Sequence, residues 1–196
     1  MHNALLTLIQ QQFGLEIHTT ALPLVEPQPL SLPDSRWEMV AWGASLVNPH
    51  SNERTRSEFL VAQLMISLAL ELNTMLFSGY PFEVQPELGL VGECDYLMTR
   101  SPRMSGIDSP IALIVEVKRQ IEHCLPHCLV ELVAAQQFNR SDAVIYGVLT
   151  TGLQWKFLKL EGKIVTIEET VYDLEPYRET AARIAGLITA ERSTPT

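Results

Sequence analysis

The stretch Ile111 to Lys118, IALIVEVK, constrains this chain most: an apolar strand that ends in a carboxylate and an ammonium two residues apart. Side chains of a strand alternate faces, so Ala112, Ile114, Glu116 and Lys118 share one. Setting Glu116 and Lys118 at the end of an otherwise buried strand costs desolvation energy unless they pair, bind a metal or line a cleft. Upstream, Gly92-Glu93-Cys94-Asp95-Tyr96 puts an acid on another short hydrophobic-polar segment, where an adjacent strand would hold it.

These residue types suit the hydrolysis of a phosphodiester. That reaction needs an activated water, a neutralised non-bridging oxygen and a stabilised leaving group. Mg²⁺ (or Mn²⁺) held by one or two carboxylates, and keeping several waters, supplies the first two. Asp95 and Glu116 are the candidate metal ligands. Lys118 would orient or deprotonate the water, or stabilise charge in the transition state. Glu58 is a candidate fourth member if its helix packs beside the strands. On helix geometry alone it serves equally well as an i, i+4 partner of Arg54.

The flanking pattern predicts a mixed α/β fold. Ala4 to Gln12 reads as a short helix, and Leu22 to Pro33, with four prolines, as an extended arm. Ser35 to Val47 is ambiguous. Asn52 is a predicted N-cap for a long helix over Glu53 to Phe77, ended by Gly79-Tyr80-Pro81 and apolar nearly all round after Phe59. Strands are predicted at Phe82 to Glu87, Gly92 to Thr99 and Ile111 to Lys118, with a loop over Arg100 to Pro110. A helix is expected from Pro126 to about Asn139. Ala143 to Leu149, Gln154 to Leu160 and Ile164 to Ile167 read as strands, Glu175 to Ala190 as a last amphipathic helix, and Ser193 to Thr196 as a tail. The order favours one sheet flanked by helices, a single domain over 1–196 with 1–50 as an N-terminal extension.

A helical Glu, an acid on the second core strand, the Glu116-Val117-Lys118 triplet and a following helix with Glu131, Gln136 and Gln137 occur in an order that resembles the PD-(D/E)XK nuclease superfamily, the restriction-endonuclease-like fold. The likeness spans about Glu58 to Leu160. VELVAAQQFN (Val130 to Asn139) and YGVLTTGLQWKFLKL (Tyr146 to Leu160) are also similar to an uncharacterised cyanobacterial group of that superfamily. The resemblance implies an αβββαβ core and a Mg²⁺-dependent endonuclease or exonuclease acting on nucleic acid, most simply DNA. It implies accessory roles for Glu131, Gln136 or His127. Cys94 stands where the motif name has proline, and His127 where those relatives tend to carry glutamine.

Blander readings accompany each residue. Glu116 and Lys118 could form an ion pair at a strand end, Asp95 could bond its own backbone, and the glutamines could be helix surface. His123, Cys124, His127 and Cys128 lack a second pair to complete a zinc site. Trp155 and Phe157 read as core, and strand alternation separates Lys156 from Lys159.

A net charge of −9 argues against wrapping of nucleic acid by a broadly basic surface. The rival expectation is therefore a catalytically inactive domain of the same fold, serving interaction or homodimerisation through the apolar helix. No apolar run is long enough for a membrane span, no signal peptide is read, and three cysteines without a framework pattern suit a reducing cytoplasm.

Overall fold

Every side chain of the strand Ile111–Val117 is buried, because helices cover both faces of the sheet at its centre. The computed structural model describes residues 2–100 and 110–190. In chain order it runs α1 (His2–Phe13), β1 (Glu16–Thr20), α2 (Asp34–Leu46), α3 (Glu53–Arg56), a π-helical turn (Ser57–Val61) and α4 (Ala62–Glu71). There follow β2 (Leu76–Gln85), β3 (Leu90–Thr99), β4 (Ile111–Val117), α5 (Leu125–Asn139) and β5 (Ile145–Thr150). The last elements are β6 (Gln154–Glu161), β7 (Ile164–Glu168), β8 (Tyr172–Asp173) and α6 (Tyr177–Thr189). The described strands make one mixed sheet in the order β1-β7-β6-β5-β4-β3-β2, with β8 pairing β6 to one side.

The expected class, a mixed α/β sheet flanked by helices, is the one that forms. β4 and β5 are parallel, which requires a crossover, and α5 supplies it. On one face, Trp37 and Val40 of α2, Leu60 to Leu68 of the π turn and α4, and Ile184 to Ile188 of α6 pack on Tyr96, Val115, Val148 and Phe157. On the other, Ile9 of α1 and Cys128, Leu129 and Leu132 of α5 pack on Leu97, Ile114, Leu149 and Leu158. Gly147 lets α5 lie close on β5: a Cβ there would sit 2.9 Å from Cys128 Sγ and 2.7 Å from Leu158 Cδ2.

Several boundaries depart from expectation. The helix opening at Glu53 has the predicted cap, Asn52 Oδ1 accepting from Thr55 N at 2.8 Å, but it ends at Glu71 rather than Phe77. Asn73 takes a left-handed φ of 50°, and the chain then turns into β2. Gly79 and Pro81 therefore lie inside a strand. Pro81 is tolerated because β2 is a sheet edge, where a missing N–H breaks no ladder on its open side. Residues 2–50 are woven into the same cores: α1 packs on α5, β1 pairs β7 in parallel, and the ambiguous Ser35 to Val47 is helix α2. The proline-rich arm crosses α6 at Gly186, where a Cβ would stand 2.4 Å from the Glu26 carbonyl oxygen. The loop expected at Arg100 to Pro110 and the tail at Ser193 to Thr196 fall largely or wholly outside the described residues; Arg100 N does bond Pro110 O at 3.1 Å. Among the described residues no helix is long and apolar enough to cross a membrane.

Candidate active site

Tyr96 pairs with Val115 across β3 and β4, so the next step along the register brings Asp95 opposite Glu116. The side chains from these two positions face the α5 layer, as do Leu97 and Ile114 before them. Val117 N donates to Asp95 Oδ2 at 2.7 Å, which clamps β3 to the end of β4. Lys118 Nζ forms an ion pair with Glu116 Oε1 and stands 3.9 Å from Asp95 Oδ2. Lys118 N in turn donates to Thr150 O at 3.0 Å, so β5 fixes the backbone on which the ammonium is carried.

Electrostatics follow from burial. The Glu116 carboxyl is 3% exposed. Desolvation and the nearby charge of Asp95 push it up to about 7, against the opposing pull of Lys118. Asp95 is also raised, first by desolvation, although the Val117 N–H and Lys118 favour its charged form. Burial opposes charge on Lys118, but its hydrogen bond to Glu116 and the charges of Glu116, Asp95 and Glu53 prevail, and its pKa rises. Glu131, reaching in from α5, is held well above the usual carboxylate range by burial and then by Glu116 and Asp95. It meets the Cys94 thiol, and its Oε2 is buried with no hydrogen-bond partner.

The cluster lies in a cleft of about 610 Å³ whose lining includes Glu116, Lys118, Glu131, Cys94, Pro126 and His127. α1 contributes Ile9 and Phe13, the β2–β3 link contributes Glu87, and β3 contributes Glu93. Gln12 Nε2 of α1 donates to Leu88 O at 2.8 Å, joining those two walls.

Asp95, Glu116, Lys118 and Glu131 are thus brought together, with exposed His127 at the cleft. Glu58 points elsewhere, its Oε1 accepting from Arg54 Nε at 2.7 Å on the exposed side of the helix. Gln136 and Gln137 line a separate hollow with Arg140 and Lys163. The helical acid felt by Asp95 and Lys118 is instead Glu53, one turn earlier, whose Oε1 accepts from Arg119 N at 3.4 Å. Its position just after the Asn52 cap was the available signal. Ser57, which sequence reading passed over, ties the same helix to β3 on the opposite face of the sheet. The π turn leaves its carbonyl in reach of Tyr96 Oη, which donates to it at 2.9 Å, with the two hydroxyls 2.7 Å apart.

The three thiols are buried, and desolvation pushes the pKa of each up, so they are poor nucleophiles. Trp155 and Phe157 are core. Among the described residues, no group of three or more His, Cys, Asp or Glu side chains is arranged to hold a metal ion. No family model matches the chain, and a search of curated proteins finds no match.

Proposed function

We propose that the protein is a divalent-metal-dependent nuclease of the restriction-endonuclease-like class, hydrolysing phosphodiester bonds of DNA at Asp95, Glu116 and Lys118. The observation that carries this reading is the convergence of those three side chains at one end of β3 and β4, where Glu116 and Lys118 line a cleft and Asp95 stands 3.9 Å from Lys118 Nζ. The succession of the Glu53–Glu71 helix, β2, β3, β4, α5 and β5 supports it, since that is the αβββαβ order the resemblance implies.

The donor set suits a hard divalent cation. Two carboxylates face each other with one ammonium between them; burial first and then the Asp95 charge raise the pKa of Glu116, and a bound cation would favour its charged form. Asp95 and Glu116 would hold Mg²⁺ or Mn²⁺. Such an ion would supply Lewis acidity toward a non-bridging phosphate oxygen and a water of lowered pKa. Lys118 keeps its proton in the resting site through Glu116, and so would position the attacking water by donating to it and offset charge on the phosphate. Glu131 lines the cleft beside Glu116, and α1 and the β2–β3 link form its opposite walls.

The rival reading is a non-catalytic interaction domain. One observation favours it: of the described residues lining the cleft, Lys118 is the sole lysine or arginine, whereas Glu87, Glu93, Glu116 and Glu131 are all acidic. The deciding experiment compares wild type with Asp95→Ala on supercoiled, linear and single-stranded DNA in Mg²⁺ or Mn²⁺. Metal-dependent cutting that the substitution removes is the expected result. Absence of both cutting and calorimetric metal binding in folded wild-type protein would favour the interaction domain.

A further inference from the structure

The helical layer on the other side of the sheet from α1 and α5 presents an apolar outer face. On α2, Met39, Trp42 and Leu46 recur at i, i+3 and i+7. Along the π turn and α4, Phe59, Gln63, Ile66 and Leu70 follow at i+4, i+7 and i+11. Each set lies along one side of its helix. The two stripes merge because the backbones touch: a Cβ on Gly43 would stand 1.9 Å from the Phe59 carbonyl oxygen, so only glycine fits there. Trp42 is 70% exposed and Leu46 61%, and Met39, Phe59, Ile66 and Leu70 are each 40% exposed or more. Between the helices lies a groove of about 200 Å³, lined by Met39, Trp42, Gly43, Leu46, Phe59 and Gln63.

We propose that two copies of this chain pair through this face about a twofold axis, the Trp42 indole of each seated against the groove of the other. Area supports it. At roughly 200 Å² for a large side chain, the exposed fractions amount to about 600 Å² of apolar surface per copy. That stands at the top of the roughly 300–600 Å² span of the largest patch on a typical monomer, and with a polar rim it approaches the roughly 800 Å² per partner of a stable interface. Shape supports it too, since a projecting Trp42 and the groove beside it share one face, as an isologous contact requires. So does charge. A chain of net charge −9 repels its own copies over most of its surface, yet none of these seven stripe positions carries a charge. The face is formed by α2, the π turn and α4, whereas the cleft is bounded by α1, α5 and the β2–β3 link, so pairing leaves both clefts open. This pairing is independent of the nuclease reading.

Size-exclusion chromatography with light scattering on the full chain tests it. Wild type is expected at twice the monomer mass at micromolar concentration. Trp42→Glu and Phe59→Glu are expected at the monomer mass with an unchanged far-UV circular dichroism spectrum, because neither side chain belongs to the buried core. Leu8→Lys, at an equally exposed leucine on α1, should remain dimeric. A monomeric wild type would overturn the proposal and leave the face to a different partner. A dimer that survives both Trp42→Glu and Phe59→Glu would overturn it as well, by placing the contact elsewhere.

Discussion

Asp95 accepts the Val117 backbone N–H at 2.7 Å, one residue from the Lys118 ammonium that its same oxygen faces at 3.9 Å. One carboxylate thus has a structural and a chemical task, and two substitutions separate them. Asp95→Asn keeps an acceptor for Val117 N and should unfold close to wild type in urea. Asp95→Ala strands that part-buried N–H and should cost about 1–3 kcal/mol. Both should lose metal-dependent cutting. Equal stability of the two variants would show that the Val117 bond contributes nothing.

Lys118 neutralises Glu116 while standing within reach of Asp95. Replacing it by Met keeps most of the apolar stem and removes the charge. We expect cutting to fall by roughly 10²-fold or more, with Mn²⁺ binding retained by calorimetry because both carboxylates remain. Full activity in Lys118→Met would remove the residue from the chemistry.

The raised pKa of Glu116 has a consequence for the metal-free protein. Its carboxyl titrates near 7 when folded, against an ordinary 4.5, so the folded state holds more protons between those values. The stabilisation it gives is complete below about pH 4.5 and is lost as pH rises through about 7. With chelator present, Tm should therefore fall across that window, in the sense opposite to a salt-bridged carboxylate of lowered pKa. Glu116→Gln, which cannot ionise, should flatten the fall and melt higher than wild type at pH 8. A Tm that climbs from pH 4.5 to 7 in wild type, with no flattening in the variant, would contradict this account.

The pairing of Asp95 with Glu116 and Lys118 was legible because strand periodicity is local: a buried acid on an apolar strand needs a partner, and the same-face residue two positions on is Lys118. α5 was legible from Pro126 for the same local reason. The end of the long helix was not. Leu72 to Phe77 holds no proline or glycine to stop α4, and only the left-handed turn at Asn73 and pairing with β3 make its last residues a strand. β1 was invisible, since Glu16–Thr20 carries little apolar signal and exists through its parallel register with β7. Glu58 and Glu53 both precede the apolar run. The sequence does not reveal the π turn at Ser57, whereas in the fold Glu58 pairs outward with Arg54 and Glu53 bonds the Arg119 backbone.

Arg56 anchors the chain that leads into α3, the helix that carries Glu53. It is 5% exposed, and its guanidinium donates to Ser51 O, Thr151 O and Pro49 O, each at 3.0 Å. These bonds tie the chain before α3 to the turn between β5 and β6, next to Thr150, whose carbonyl holds Lys118 N. Hydrogen bonds from a charged donor contribute more than neutral ones, and removing the guanidinium takes its donor from three carbonyls at once. Arg56→Met should cost on the order of 3 kcal/mol or more in chemical denaturation. Arg56→Lys should recover only part of this, because one ammonium cannot span a planar three-carbonyl fork. Amide exchange offers the sharper measurement. If Arg56 acts as the strut between the two segments, protection in Arg56→Met should drop at Arg119 and Gly152 together. Loss confined to residues 49–56 would show that the guanidinium braces its own turn and leaves the Lys118 backbone to β5 alone.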